Sequence, residues 1–119
     1  MLFCSCVKNE RAIKQIENDL TSNGFTVTIN ENQNELSSLS DTLALVYQLL
    51  FNGKITSQLV AKGTYEGAQC TIEALEFEYA EDAEKYFNYA CTTFGRSYVI
   101  SRQNVVIMST SSTALNLIN

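Results

Sequence analysis

Histidine, tryptophan and proline are all missing from this chain of 119 residues. Without histidine the commonest general base is gone, and with it the usual Ser-His and Cys-His nucleophile pairs and most mixed zinc sites. Without tryptophan, and with few aromatics at exposed-looking positions, no platform for stacking nucleic-acid bases is evident. Without proline there is neither a Pro-rich linker nor a polyproline ligand. Positive charge is scarce as well. Eight Lys and Arg stand against thirteen Asp and Glu, a net charge of −5, and the basic residues form no run. That balance argues against nucleic acid or an anionic membrane as partner, since both reward clustered Lys and Arg. No apolar stretch approaches the ~18 residues that cross a bilayer. Residues 1–7 leave no room for the charged region and apolar core of a complete signal peptide.

What is present is an ordinary globular composition, 45% hydrophobic, which suits one folded domain. We place that domain at residues 9–119, with 1–8 as a separate N-terminal segment. The segment begins Met1-Leu2-Phe3-Cys4-Ser5-Cys6. An apolar residue three before a cysteine and a small residue directly before it form the end of a bacterial lipoprotein signal. Phe3 and Ser5 meet that pattern loosely, which makes Cys6 a candidate lipidation point. On that reading the domain is membrane-anchored outside the cytoplasm. The plainer reading is a cytoplasmic protein whose start is disordered or a short strand, with two incidental cysteines.

Cys4 and Cys6 form a CxC pair, whereas Cys70 and Cys91 stand alone. A four-thiolate zinc site usually brings two close pairs, so no metal site is expected. Cys70 and Cys91 are better read as small buried hydrophobes, and a disulfide between them stays open as an alternative in an oxidising compartment.

Hydrophobic periodicity orders the rest. Ala12, Ile13, Ile16 and Leu20 predict a helix over 10–23, with Asn9 as cap and Gly24 past its end. Alternation of Phe25, Val27 and Ile29 predicts a strand, and a second helix is expected over 38–51. Strands follow over 55–62 and 68–79, joined by a turn over 63–67. In the second of these the apolar phase slips at Ala74-Leu75, which predicts a bulge or bend. A third helix over 81–94 carries Ala83, Tyr86, Phe87, Ala90 and Phe94 inward and stops at Gly95. Strands over 97–101 and 105–109 form a hairpin, and a short helix capped by Ser111 or Ser112 turns Leu115 and Ile118 inward. The order α-β-α-β-β-α-β-β-α predicts an α+β fold, an antiparallel sheet with helices packed on one face.

One stretch also has a family likeness. Phe77-Glu78-Tyr79-Ala80-Glu81-Asp82-Ala83 with Tyr86 and Phe87, then Gly95, then Asn104-Val105-Val106-Ile107 and Thr110, resembles a pattern in small uncharacterised bacterial α+β proteins, many of them lipoprotein-like. The likeness covers about residues 70–112 and rests on helix-start and core positions, so it implies a fold and an anchor but no active residues.

Three groups carry candidate chemistry. Glu73, Glu76, Glu78, Glu81, Asp82 and Glu84 crowd one stretch, and on a strand Glu76 and Glu78 point the same way. Gathered carboxylates can raise a pKa or bind calcium, but neither a calcium loop nor a partner base is visible, and a solvated acidic face is the simpler reading. Of the tyrosines, Tyr47, Tyr79, Tyr86 and Tyr98 fit the core or its rim, which leaves Tyr65 and Tyr89 as exposed contacts. The run Ser109-Thr110-Ser111-Ser112-Thr113 resembles a phosphate-binding helix start, yet such runs are more often plain caps.

Together these readings predict a non-enzymatic binding or structural domain without a cofactor. Its alternative is a protein-interaction module or inhibitor that meets a basic partner with Glu73, Glu76, Glu78, Glu81, Asp82, Tyr65 and Tyr89. The strand over 68–79 would allow a homodimer if it lay at a sheet edge. The anchor is testable by expressing the gene with its upstream region in a bacterial host and weighing the N-terminal peptide. A diacyl or triacyl mass on Cys6 is the expected result, and an unmodified Met1 start removes the anchor.

Overall fold

A computed structural model describes residues 11–31 and 55–118. Cys4, Cys6, the Asn9 cap and the helix expected over 38–51 lie outside the described residues.

Helix α1 spans Ala12–Ser22 and buries Ala12, Ile13, Ile16 and Leu20, the stripe that its periodicity predicts. Its end is a Schellman motif. Gly24 takes φ 86° and donates its N–H to the Thr21 carbonyl at 3.1 Å, and the Phe25 N–H reaches the Leu20 carbonyl at 3.0 Å. A left-handed residue is needed there, and glycine adopts it without a Cβ clash. The chain then enters strand β1, Thr26–Asn30. Strands β2, Ile55–Tyr65, and β3, Ala68–Phe77, form a long hairpin. Its turn is the two residues Glu66 and Gly67, both at positive φ, which suits the right-handed twist of the paired strands. Helix α2 spans Ala80–Phe94. After a 3-10 turn at Arg96–Tyr98 come β4, Val99–Arg102, and β5, Val105–Ser109. A second 3-10 turn at Thr113–Leu117 stands where a short last helix is expected, and it buries Leu115 with the neighbouring Ile118 as predicted.

All strand pairs are antiparallel and the sheet order is β1-β2-β3-β5-β4. This is the α+β fold that the sequence predicts, but the helices do not share a face. Helix α1 packs with Leu59, Ala61, Ile72, Ala74 and Ile107 in one core. Helix α2 packs with Ile55, Leu75, Phe77, Val99 and Val106 in another. Successive strand residues point to opposite faces, so Ala74 and Leu75, or Val106 and Ile107, serve different cores. The sheet is a wall between two helices.

That arrangement corrects the bulge expected in β3. Its pairing with β5 runs without a break from Ile72 to Glu76. The apolar phase changes at Leu75 because α2 covers the second face there, not because the backbone slips. The irregularity sits on the partner strand, where the register shifts between Ile55 and Ser57 and leaves Thr56 as an extra residue. Strand β3 is also no edge: β2 and β5 occupy both of its sides, so two copies cannot pair through it.

Gly63 lies inside β2 rather than in the turn, opposite Cys70. A Cβ at this position would fall 2.9 Å from Cδ2 and Cγ of Phe25, whose ring is buried. The glycine therefore leaves room for the ring that follows the α1 terminus. Gly63→Ala is expected to lower the unfolding free energy by about 1–3 kcal/mol, the usual cost of overpacking. Urea denaturation checks this, and a double-mutant cycle with Phe25→Leu should recover part of the loss.

Candidate functional site

The five carboxylates expected to form one surface are separated by the fold. Glu73 and Glu76 differ by three positions, an odd number, so they emerge from opposite faces of β3. Glu76 lies with α1 and is buried, 5% exposed, whereas Glu73 is half-buried on the α2 side. Strand β3 ends at Phe77, so Glu78 follows no strand alternation and is exposed. Glu81 and Asp82 sit in the first turn of α2, where negative charge complements the helix dipole. The two tyrosines expected as exposed contacts are both half-buried. Tyr65 donates its hydroxyl to the Thr113 carbonyl at 3.3 Å, and the Tyr89 ring lies 6.2 Å from that of Tyr86 in the α2 core.

Glu76 is the centre of a polar cluster instead. Arg11, just before α1, grips it with two nitrogens: Nε donates to Oε2 at 3.2 Å, and Nη2 donates to Oε1. Ser57 donates to Oε1 at 2.7 Å and Thr56 to the same oxygen at 3.1 Å. Adjacent strand residues normally face opposite ways, and the bulge at Thr56 is what brings both hydroxyls to one carboxylate. The second Arg11 amine, Nη1, donates to Glu31 at 2.9 Å. Burial pushes the Glu76 carboxyl up, but the hydrogen bonds from Arg11 and Ser57, the Arg11 charge and the Thr56 hydroxyl outweigh it and hold the group below the ordinary carboxylate range. The Glu76 hydrogen bond in turn raises Arg11.

A carboxylate this well satisfied is a poor base and a poor ligand, because its acceptor sites are occupied within the chain. Its work is to fasten the start of α1 to the bulged end of β2. Among the described residues no group of three His, Cys, Asp or Glu is placed to hold a metal ion. Cys70 and Cys91 are free, buried and assigned to opposite cores, so the expectation of small buried hydrophobes holds and the disulfide does not form. Of the two serines expected to cap the last helical turn, Ser112 makes no side-chain cap bond, and Ser111 Oγ accepts from the Ala114 N–H at 3.4 Å. Ser109 Oγ accepts from the Ser111 N–H at 3.0 Å and donates to the Ser111 carbonyl at 2.7 Å, which makes a local turn before it.

The surface feature that periodicity misplaces lies at the other end of α2. The buried stripe of this helix stops at Cys91, and Phe94, its last residue, is 46% exposed. Tyr98, in the following 3-10 turn, is 40% exposed, and Tyr79, before the helix, is 57% exposed. All three have core or rim places by spacing alone. Phe94 and Tyr98 stand over a groove of about 480 Å³ lined also by Thr71, Glu73, Met108, Ser109 and Thr110. Gly95, at φ 102°, turns the chain so that Tyr98 N–H meets the Gly95 carbonyl at 3.1 Å. The opposite wall is fixed by a reciprocal pair: Thr110 N–H donates to the Thr71 carbonyl, and Thr71 N–H donates to Thr110 Oγ1, both at 3.0 Å. Met108, half-buried, forms the floor and accepts a weak contact from the Tyr86 hydroxyl at 3.9 Å.

No family model, curated protein or solved structure matches the chain. Among the described residues, no helix is long and apolar enough to cross a membrane.

The Glu76 cluster makes a pH prediction. Its carboxyl titrates lower in the folded chain than in the unfolded one, so its stabilisation is complete above the unfolded value and is lost as pH falls through the folded value. Arg11 is 44% exposed, which screens the pair. Glu76→Gln is expected to cost about 1–3 kcal/mol at pH 7. The variant should also flatten the acid limb of a melting-temperature profile recorded from neutral pH downwards.

Proposed function

We propose that this chain is a non-enzymatic binding domain that engages a protein partner at the groove between the end of α2 and strands β3 and β5. The observation that carries the reading is the pair of exposed aromatic side chains, Phe94 and Tyr98, set over a concavity with a fixed wall and an apolar floor. Exposed aromatics beside a pocket are the usual anchors of protein recognition, because they bury much area at small entropic cost. Among the described residues, Tyr79 is the one other large apolar side chain that is exposed.

The non-enzymatic part of the reading is supported by chemistry. The sequence offers no histidine, and Glu76, the one buried carboxylate among the described residues, is held by an arginine and two hydroxyls. The alternative of an acidic contact surface is less well supported, since Glu73, Glu76 and Glu78 do not share a face. A lipid anchor at Cys6 is compatible with this reading and independent of it.

Panning a phage library of random peptides against the folded chain tests the groove. Enriched peptides are expected to bind with a Kd in the micromolar range, about −8 kcal/mol. Phe94→Ser and Tyr98→Ser should each weaken them about tenfold or more with little change in melting temperature, because both positions are exposed. Tyr79→Ser is the control and should leave binding unchanged. Failure to enrich any peptide, or equal binding by all three variants, overturns the reading.

A further inference from the structure

We infer that the groove selects a cationic aliphatic side chain, an arginine or lysine, presented by its partner; this rests on the groove being the contact surface. Four observations point the same way. Phe94 and Tyr98 stand exposed at the rim, and aromatic faces attract ammonium and guanidinium groups. The lining holds one carboxylate, Glu73, with hydroxyls from Thr71 and Thr110, and neither lysine nor arginine. Glu73 already makes an interaction within the chain, and a carboxylate offers about four acceptor sites, so a further donor can be accommodated.

The third observation is the place of the groove on α2. Phe94 is the last residue of a 15-residue helix whose final turn contains no basic residue. Backbone carbonyls at a helix C-terminus carry partial negative charge, which favours a cation and disfavours an anion. Arg96, in the next turn, is exposed and does not line the groove. The fourth is the floor. Met108 is flexible and polarizable, and it can cover the methylene stem of a long basic side chain while the charged head stays near the rim. The net charge of −5 would also steer a basic segment towards this chain.

The chain contains two methionines, Met1 and Met108, so ¹³C-methyl-methionine labelling puts a reporter on the groove floor. A Met108→Leu variant assigns its signal. The labelled full chain is titrated with four probes of similar size: n-butylguanidinium, n-butylammonium, the neutral pentanamide and the anionic pentanoate. Saturable shifts of the Met108 methyl are expected for both cations, with about tenfold tighter binding than for pentanamide, and none for pentanoate. Glu73→Gln should remove most of that preference while leaving pentanamide binding in place. Added salt should weaken only the cations.

Equal binding of cations and amide, or an undiminished preference in Glu73→Gln, overturns the inference and leaves the groove standing as a contact surface. An unmoved Met108 signal with every probe also overturns it. In that case the peptide panning decides separately whether the groove reading survives: peptides lost on Phe94→Ser keep it, and their absence removes it.

Discussion

Strand β3 is hydrogen-bonded along both edges and covered on both faces, and the other elements take their positions from it. Its Cys70, Ile72 and Ala74 seat α1, while Leu75 and Phe77 seat α2. Neither helix touches the sheet through the same residues as the other. A strand buried on both faces must read as a nearly continuous apolar run over the shared length, and Ala74-Leu75 together with Val105-Val106-Ile107 do so. The end of β3 is further held by Asn104, whose carbonyl accepts from the Phe77 N–H at 2.8 Å and whose side-chain amide donates to the Phe77 carbonyl. The β4–β5 turn is thereby tied to the start of the path into α2.

A charged residue in such a strand has to be compensated, and Glu76 shows how. It lies between Leu75 and Phe77, the residues that seat α2, but on the opposite face. The chain answers with a guanidinium from the start of α1 and two hydroxyls gathered by a bulge in β2. Three separate segments meet at one carboxylate. The pair adds little through charge alone, since Arg11 is partly solvated, but it fixes where α1 begins relative to the sheet. The exposed end of the molecule works by a different principle. Helix α2 runs on past its last buried residue, and its terminal aromatic and Tyr98 of the next turn line a groove with Thr71 and Glu73 of β3 and Met108 of β5.

Much of this was legible in the chain. The α1 stripe, the Gly24 terminus, the strand alternation after it, the α2 stripe as far as Ala90 and the hairpin that ends in 105–109 all follow from spacing and turn chemistry. These are local properties, set by which residues fall within a few positions of one another. The antiparallel α+β class follows from the same information, because short connections make hairpins. The inward Leu115 and Ile118 belong to the same group, and so does the presence of a turn before β3, although it is shorter than the 63–67 expected, because β2 runs on to Tyr65.

What the tertiary structure alone decided concerns which face, which edge and which neighbour. Spacing shows that α2 has an apolar stripe but not which side of the sheet it covers, so the change of phase at Leu75 looks like a bulge until the second helix is in place. Spacing gives Phe94 and Tyr98 apolar positions but not that the fold leaves both exposed beside a groove. It groups Glu73, Glu76 and Glu78 because they are close in sequence, whereas strand parity and the end of β3 send them apart. Arg11 and Glu76 are 65 positions apart, and no local pattern connects them. The sequence by itself therefore determined the elements and their apolar stripes, since those depend on residues within a turn or two. Only the folded chain determined the ion pair between Arg11 and the buried Glu76, and the groove, since each is made by residues that become neighbours when the sheet closes.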